Sequence, residues 1–457
     1  MDEGKGSGNM EQRGRQDSHF VEVSASWPIR LLNRADAFLK QRAGRALVPL
    51  DRQKISSWAR VNDVHPAFGD QEPFFRLLEA FFDGFAENPH RSAMGSLAIT
   101  DWTKSCLRAR RECMDYVAAH PEVLGQKIDK PVVIVGMHRT GSTLLYNLLH
   151  QDPRTRSPFL YEMYGDWPHL PAATSRAAHY QDDRMQRLKK SLAQGAKLLP
   201  EGVAKRNRAH LTSYEMIEED YIITSHQMNW LTHSVLSGAR FRELTFDPAK
   251  DFVFAYLKIY LQMLQTGYAP ASHWTLKAPS HLLHLESFMR AFPDARVVML
   301  HREPAETVPS MCYLMEALYG DYLRPHTWDR RTLGPFISAL YQLMTQRLSQ
   351  YRDAHPDKAA QFIDIPFAEL EADPIGQVQR IYRTLGIDYE PALTATLQDY
   401  LRAHLATETL RAYRTGFEQF HVWCQQHQLA HVPADPESVR LFISARAKAG
   451  KHVSTLT

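Results

Sequence analysis

The chain has 457 residues, 44% hydrophobic and 23% charged, the balance of a globular protein able to bury a large core. Lys and Arg total 54 against 51 Asp and Glu, a formal net charge of +3. That excludes a polybasic nucleic-acid wrapper or an acidic solvating tail as the main identity. Four cysteines (Cys106, Cys113, Cys312 and Cys424) match no zinc spacing and make no disulfide framework. Reduced, mostly buried thiols and a cytoplasmic location are the expectation.

The first stretch, MDEGKGSGNMEQRGRQDSHF, is polar and Gly-rich and lacks the apolar run of a secretory leader. Residues 1–26 are expected to be a disordered tail. From Trp27 to Asp129, RLLNRADAFLKQRA and EPFFRLLEAFFDGFAENP repeat apolar residues at helical spacing. No apolar run approaches the length of a membrane span. Next comes PVVIVGMHRTGSTLLYNLLHQDP. The β-branched run Val132–Val135 suits a buried parallel strand, Gly136 to Gly141 a short loop, and Ser142 to His150 a helix ended by Asp152-Pro153. Residues from about 175 to 268 are expected to be helical, with an acidic cluster, YEMIEEDY, and many aromatics. WTLKAPSHLLHLESFMRAFPDARVVMLHREPAETVPSMCYL alternates strand, helix, strand (Arg296 to Leu300) and helix, and QFIDIPFAELEADPIGQVQRIYRTLGI adds a strand and two helices. Strands alternating with helices imply an α/β fold with a parallel sheet covered on both faces.

The segment from Gly136 to Thr143, GMHRTGST, has the frame of a phosphate loop, G-x-x-x-x-G-K-[ST], with Ser142 where the Lys would stand. Backbone N–H groups of such a loop and of the helix behind it converge on an anion. Without the Lys that reaches β and γ phosphates, ATP hydrolysis is disfavoured, whereas Arg139 suits a single terminal phosphate. Arg302 follows the strand Arg296–Leu300 and so falls at the carboxyl edge of the sheet, with Ser310 eight residues on, near the start of a helix. An Arg and a helix-start hydroxyl suit a second phosphate, although on their own they read equally as a surface Arg and a capping Ser.

As an ordered set, these segments resemble the sulfotransferase family that uses 3′-phosphoadenosine-5′-phosphosulfate, over residues 30 to 404. VGMHRTGSTLLYNLL is similar to its 5′-phosphosulfate loop, WTLKAPSH to its W-x-L-K-x-P-x-H block, VVMLHREPAETVPSMC to its 3′-phosphate strand, and FAELEADPIGQVQRIYRTLGI to its late helical block. The resemblance implies a P-loop three-layer sandwich with a central parallel sheet, large helical insertions and a helical C-terminal appendage. It implies the phosphosulfate nucleotide as co-substrate and no metal. Gly136, Arg139, Thr140, Gly141, Ser142 and Thr143 would hold the 5′ end, and Arg302 and Ser310 the 3′-phosphate. Lys277 would stand near the transferring sulfuryl group and offset charge on the bridging oxygen. Glu162 fits the placement of a general base, with a helix-surface Glu as the plain alternative. His138 is a further candidate near the site. His281 and His284, two ligands without a third, are assigned to packing or substrate contact. The acceptor, a small molecule, glycan or lipid, is not legible in the sequence.

The family pattern stops near LQDYLRAH, where a basic nucleotide-clamping loop would follow. Residues 405–457 instead resemble the start of the helical core-binding domain of tyrosine recombinases, on T-L-R-A-Y-x-x-x-x-x-x-F-x-x-W-C and P-A-x-P-E-x-V. Six Lys and Arg against four Asp and Glu in that segment are a small footprint for DNA, so at most weak DNA contact is expected. The alternative to an active sulfotransferase is therefore an impaired fusion protein. The expected domains are 27–404 and 405–457.

Overall fold

The computed structural model describes residues 26–62, 64–164, 173–198, 216–324, 330–429 and 436–448. The expected N-terminal tail lies, but for Ser26, outside them. The described chain falls into two compact units, residues 1–388 and 389–457.

The first unit is built on a four-stranded parallel sheet of order β2-β1-β3-β4, where β1 is Val132–Gly136, β2 Thr275–Lys277, β3 Arg296–His301 and β4 Phe362–Pro366. All five β1 residues are buried, as their unbroken apolar run requires of a strand covered on both faces. The register sets Ile134 opposite Lys277 and Gly136 opposite Leu300. Lys277, the end of β1 and the residues after β3 therefore meet at one carboxyl edge. The sheet is the expected α/β arrangement.

The helices before β1 form because their apolar residues share one face. In Glu72–Glu87, Phe74, Leu77, Phe81, Phe82 and Phe85 are buried, and Phe81 meets Trp230 edge-on at 4.8 Å. Helix Ala93–Ala119 starts on Ser92, whose hydroxyl accepts from Gly95 N at 2.8 Å. Within the stretch from about 175 to 268, expected to be helical, residues 199–215 lie outside the described residues. Residues 216–220 are irregular, and Ile217 pairs as a single bridge with Phe159. That pairing holds residues 216–220 of the acidic cluster out of helical geometry, in a loop over the sheet edge.

In the second unit, helix Pro391–Gln426 and helix Pro436–Lys448 meet through Phe442, whose ring lies 5.4 Å from Phe420 and 5.7 Å from Trp423. Residues 404 and 405 lie within the first of these helices, and the two compact units divide after Asp388.

Candidate active site

The loop after β1 turns tightly enough to require its glycines. Gly136 has φ 151°, and a Cβ there would come 2.7 Å from the Leu300 carbonyl oxygen. Gly141 has φ 85° and caps the nine-residue helix Ser142–His150; its Cβ would lie 2.8 Å from the Phe367 ring. The first N–H groups of that helix have no intrahelical partner and face the loop's interior. Thr140 turns its hydroxyl onto the Met137 carbonyl at 2.8 Å, so its side chain braces the loop and only its backbone remains for a ligand.

Arg139 adopts φ 72°, a left-handed conformation that costs a non-glycine residue roughly 1–2 kcal/mol. Two contacts hold it there. Its Nε donates to Ser310 Oγ at 3.0 Å, and its carbonyl accepts from Arg302 Nη1 at 3.1 Å. Arg302 also donates to Glu306 at 2.7 Å and lies over the Phe367 ring at 4.1 Å. The residues named for the two phosphates thus form one cluster. Burial, and then the neighbouring Arg302 charge, lower the Arg139 pKa from its usual value. An anion between the two guanidiniums would relieve that repulsion.

Lys277, at the end of β2, is buried. Its ammonium lies 3.2 Å from Thr143 Oγ1, at the start of the loop helix, and 2.8 Å from a Glu219 carboxylate oxygen. Next in the acidic loop, Asp220 accepts from the Lys277 backbone N–H at 2.9 Å and pairs with His281 Nε2 at 2.5 Å, with both side chains fully buried. One acidic loop therefore sets both the backbone and the ammonium of Lys277. YEMIEEDY was visible in the sequence, but the pairing of its members with the W-x-L-K block was not. His281, stacked on Phe288 at 5.0 Å, holds the loop, and His284 is buried beside Phe254.

Glu162, expected as a general base or a helix-surface Glu, lies in the interior. It is 1% exposed. One carboxylate oxygen accepts from Arg156 at 3.0 Å, and the other accepts from Phe159 N at 3.0 Å, starting the short helix Leu160–Met163. Arg156, itself buried, stacks on Tyr268 at 4.0 Å. Glu162 is thus a buried counter-ion of Arg156 and not a surface residue.

Beside Lys277 opens a cavity of about 940 Å³ with mostly apolar walls, including Met94, Leu97, Trp102, Met311, Leu314 and Leu318. Its polar lining includes Glu218, Glu219, His138, Ser280 and His233. The His138 ring lies parallel to Tyr341 at 6.1 Å. Ser280 Oγ and His233 Nδ1 are buried without a hydrogen-bond partner among the described residues. Two polar atoms left unpaired at the wall of a cavity are groups a ligand would satisfy.

A parallel sheet whose carboxyl edge carries a phosphate loop, a second cationic anchor and an apolar cavity defines a P-loop group-transfer fold. The sulfotransferase family model matches residues 131–391, and the chain belongs to that family. The omega-hydroxy-beta-dihydromenaquinone-9 sulfotransferase Stf3 of Mycobacterium bovis is 24% identical over 306 residues, 64% of this chain and 71% of the relative. Among solved structures, the sulfotransferase STF9 of Mycobacterium avium superposes with a TM-score of 0.65 at 25% identity, over 82% of this chain and 88% of that one. STF1 of Mycobacterium tuberculosis shares the fold with a TM-score of 0.62 at 21% identity, over 77% and 93%.

Proposed function

We propose that the protein transfers the sulfuryl group of 3′-phosphoadenosine-5′-phosphosulfate to a hydroxyl or amine of an acceptor with an apolar body. The observation that carries this reading is the position of Lys277, between Thr143 of the phosphate loop and Glu219 on the cavity wall. In this reading the loop from Gly136 to Thr143, with Arg139 and the backbone of Thr140, Gly141, Ser142 and Thr143, takes the 5′-phosphosulfate. Arg302 and Ser310 take the 3′-phosphate. The acceptor enters the cavity, and Glu219, in place of Glu162, accepts its proton. The acceptor oxygen or nitrogen bonds to sulfur as the bridging S–O bond breaks. The electron pair passes to the 5′-phosphate, where Lys277 and Arg139 offset the charge. His138, Ser280 and His233 contact the acceptor's polar end. The apolar walls favour a lipid-like acceptor over a glycan, and the acceptor named for the mycobacterial relative, an omega-hydroxylated dihydromenaquinone, has that character.

Calorimetric titration of adenosine 3′,5′-bisphosphate into the full chain tests the site. Micromolar binding is expected, weakened at least ten-fold by Arg139→Ala and by Arg302→Ala, the roughly 1.5–3 kcal/mol of a charge-assisted hydrogen bond. No binding by the unaltered chain would overturn the reading and favour an impaired fusion protein. The likeness of residues 405–457 to a recombinase segment, with its weak DNA contact, gains no support from the comparisons. A cytoplasmic location stays part of the proposal; Cys106, Cys113, Cys312 and Cys424 are free thiols, and among the described residues no helix is long and apolar enough to cross a membrane.

A further inference from the structure

We propose that the outward face of the first helix, Trp27–Ala43, seats the protein on an anionic membrane surface, with the mouth of the acceptor cavity turned toward the lipid. The helix carries large apolar residues on the side away from the protein. Trp27 is 69% exposed, and Leu31 and Phe38 are each 58% exposed. At 3.6 residues per turn, positions 27, 31, 34, 38 and 42 of the helix return to one side, so Arg34 and Arg42 lie among the apolar residues, with Arg30 at their edge and Arg45 just past the left-handed Gly44 that ends the helix. All four arginines are exposed, and the Arg42 guanidinium lies 5.8 Å over the Phe38 ring. Between residues 26 and 50 the only carboxylate is Asp36. It is buried on the inner face, paired with Lys40 at 2.5 Å and accepting from Leu47 N at 2.8 Å. Among the described residues of this helix and the turn after it, the outward face is therefore apolar and cationic, with no carboxylate of its own. That combination inserts its apolar side chains at the headgroup boundary and holds anionic headgroups with its cations.

The helix is also tied to elements that line the cavity. On the inner side, Asn33 Oδ1 accepts from Met94 N at 3.0 Å and Lys40 donates to the Arg91 carbonyl at 3.2 Å, fixing the helix to the start of Ala93–Ala119. That second helix supplies Met94 and Leu97 to the cavity wall, and the turn after the first helix supplies Val48 and Pro49. Leu97, on that wall, and Leu47, next to Val48 in the chain, are themselves 45% and 43% exposed. A polyanionic nucleic acid would leave Trp27, Leu31 and Phe38 with nothing apolar to bury against. A second copy docked by the same face would set like charges against one another. A lipid surface satisfies both components. Docking stands on this face alone; delivery of an acceptor from the bilayer rests in addition on the sulfotransferase reading.

The test is co-sedimentation of the full chain with vesicles of phosphatidylcholine alone and of phosphatidylcholine with phosphatidylglycerol at 3:1. The chain is expected to pellet with the anionic vesicles at least ten-fold better than with the neutral ones, and to be released by high salt. The variant Trp27→Ser, Leu31→Ser, Phe38→Ser and the variant Arg34→Gln, Arg42→Gln, Arg45→Gln should each lose most of that binding. Both should keep the unaltered chain's melting temperature and its titration by adenosine 3′,5′-bisphosphate, because the altered side chains are exposed and far from the loop in sequence. A chain that stays in the supernatant, or variants that pellet as well as the unaltered chain, would overturn the proposal. So would a dimer in sedimentation velocity that the Trp27, Leu31, Phe38 variant dissociates. A failed nucleotide titration with intact vesicle binding would instead count against the sulfotransferase reading alone.

Discussion

Glu162 and Glu219 carry the same carboxyl group into different surroundings. Glu162 balances a buried Arg156 that no water reaches, so Glu162→Ala is expected to destabilise the fold by about 3–5 kcal/mol, the cost of stranding a buried charge. Glu219 reaches the cavity while pairing with Lys277, so Glu219→Gln keeps an acceptor for the ammonium but removes the base. Thermal melting and transfer of labelled sulfate to long-chain primary alcohols separate the two. Glu162→Ala should lower the melting temperature by several degrees. Glu219→Gln should abolish transfer while leaving the titration by adenosine 3′,5′-bisphosphate within a few-fold. A Glu219→Gln protein that still transfers sulfate would remove Glu219 from the reaction. At this scale, the positions of Arg139, Arg302 and Ser310 on the loop, the strand edge and the helix start were legible because these are local patterns. The pairing of Glu219 with Lys277 was not, because it joins residues across 58 positions of chain, which no spacing rule encodes.

The strand–loop–helix unit from Val132 to His150 was readable in outline because each part is a local property: a β-branched run, two glycines and an apolar helix. Its tolerances are set elsewhere. Gly141 is boxed in by Phe367, which follows β4 more than 220 residues later in the chain. Gly141→Ala therefore combines the left-handed penalty of about 1–2 kcal/mol with a ring that must shift. Binding of adenosine 3′,5′-bisphosphate should fall at least ten-fold by calorimetry, and unchanged affinity would mean that the loop does not grip the nucleotide. The acidic cluster illustrates the converse. YEMIEEDY sits in a stretch whose composition favours helix, yet bridge pairing of Ile217 with Phe159, and Asp220 bonding to both Lys277 N and His281, hold residues 216–220 as a loop. Tertiary hydrogen bonds outweigh helix propensities of a few tenths of a kcal/mol per residue.

Across the whole first unit, several histidines are buried in neutral form. Burial pushes His150, His226 and His233 down to about 3 and His273 to about 4. Because each folded-state pKa lies below the unfolded value near 6.5, the unfolded chain binds the extra protons. Stability is then full above about pH 6.5 and falls steadily toward pH 3–4. At pH 5 each such group subtracts on the order of 2 kcal/mol. The urea midpoint should drop clearly between pH 7.5 and pH 5.0. His226→Gln, which removes an imidazole bonded to Met163 O and Tyr256, should flatten the fall. A midpoint that holds steady over that range would contradict the burial of these rings. By itself the sequence determined the parallel α/β class, the phosphate loop and the order of its partners, because strand runs, glycine turns and helix faces are written over short distances. Only the tertiary structure decided which carboxylate stands beside Lys277, that Glu162 is buried against Arg156, and that an apolar cavity adjoins the loop, because these are meetings of distant segments fixed by sheet register and burial.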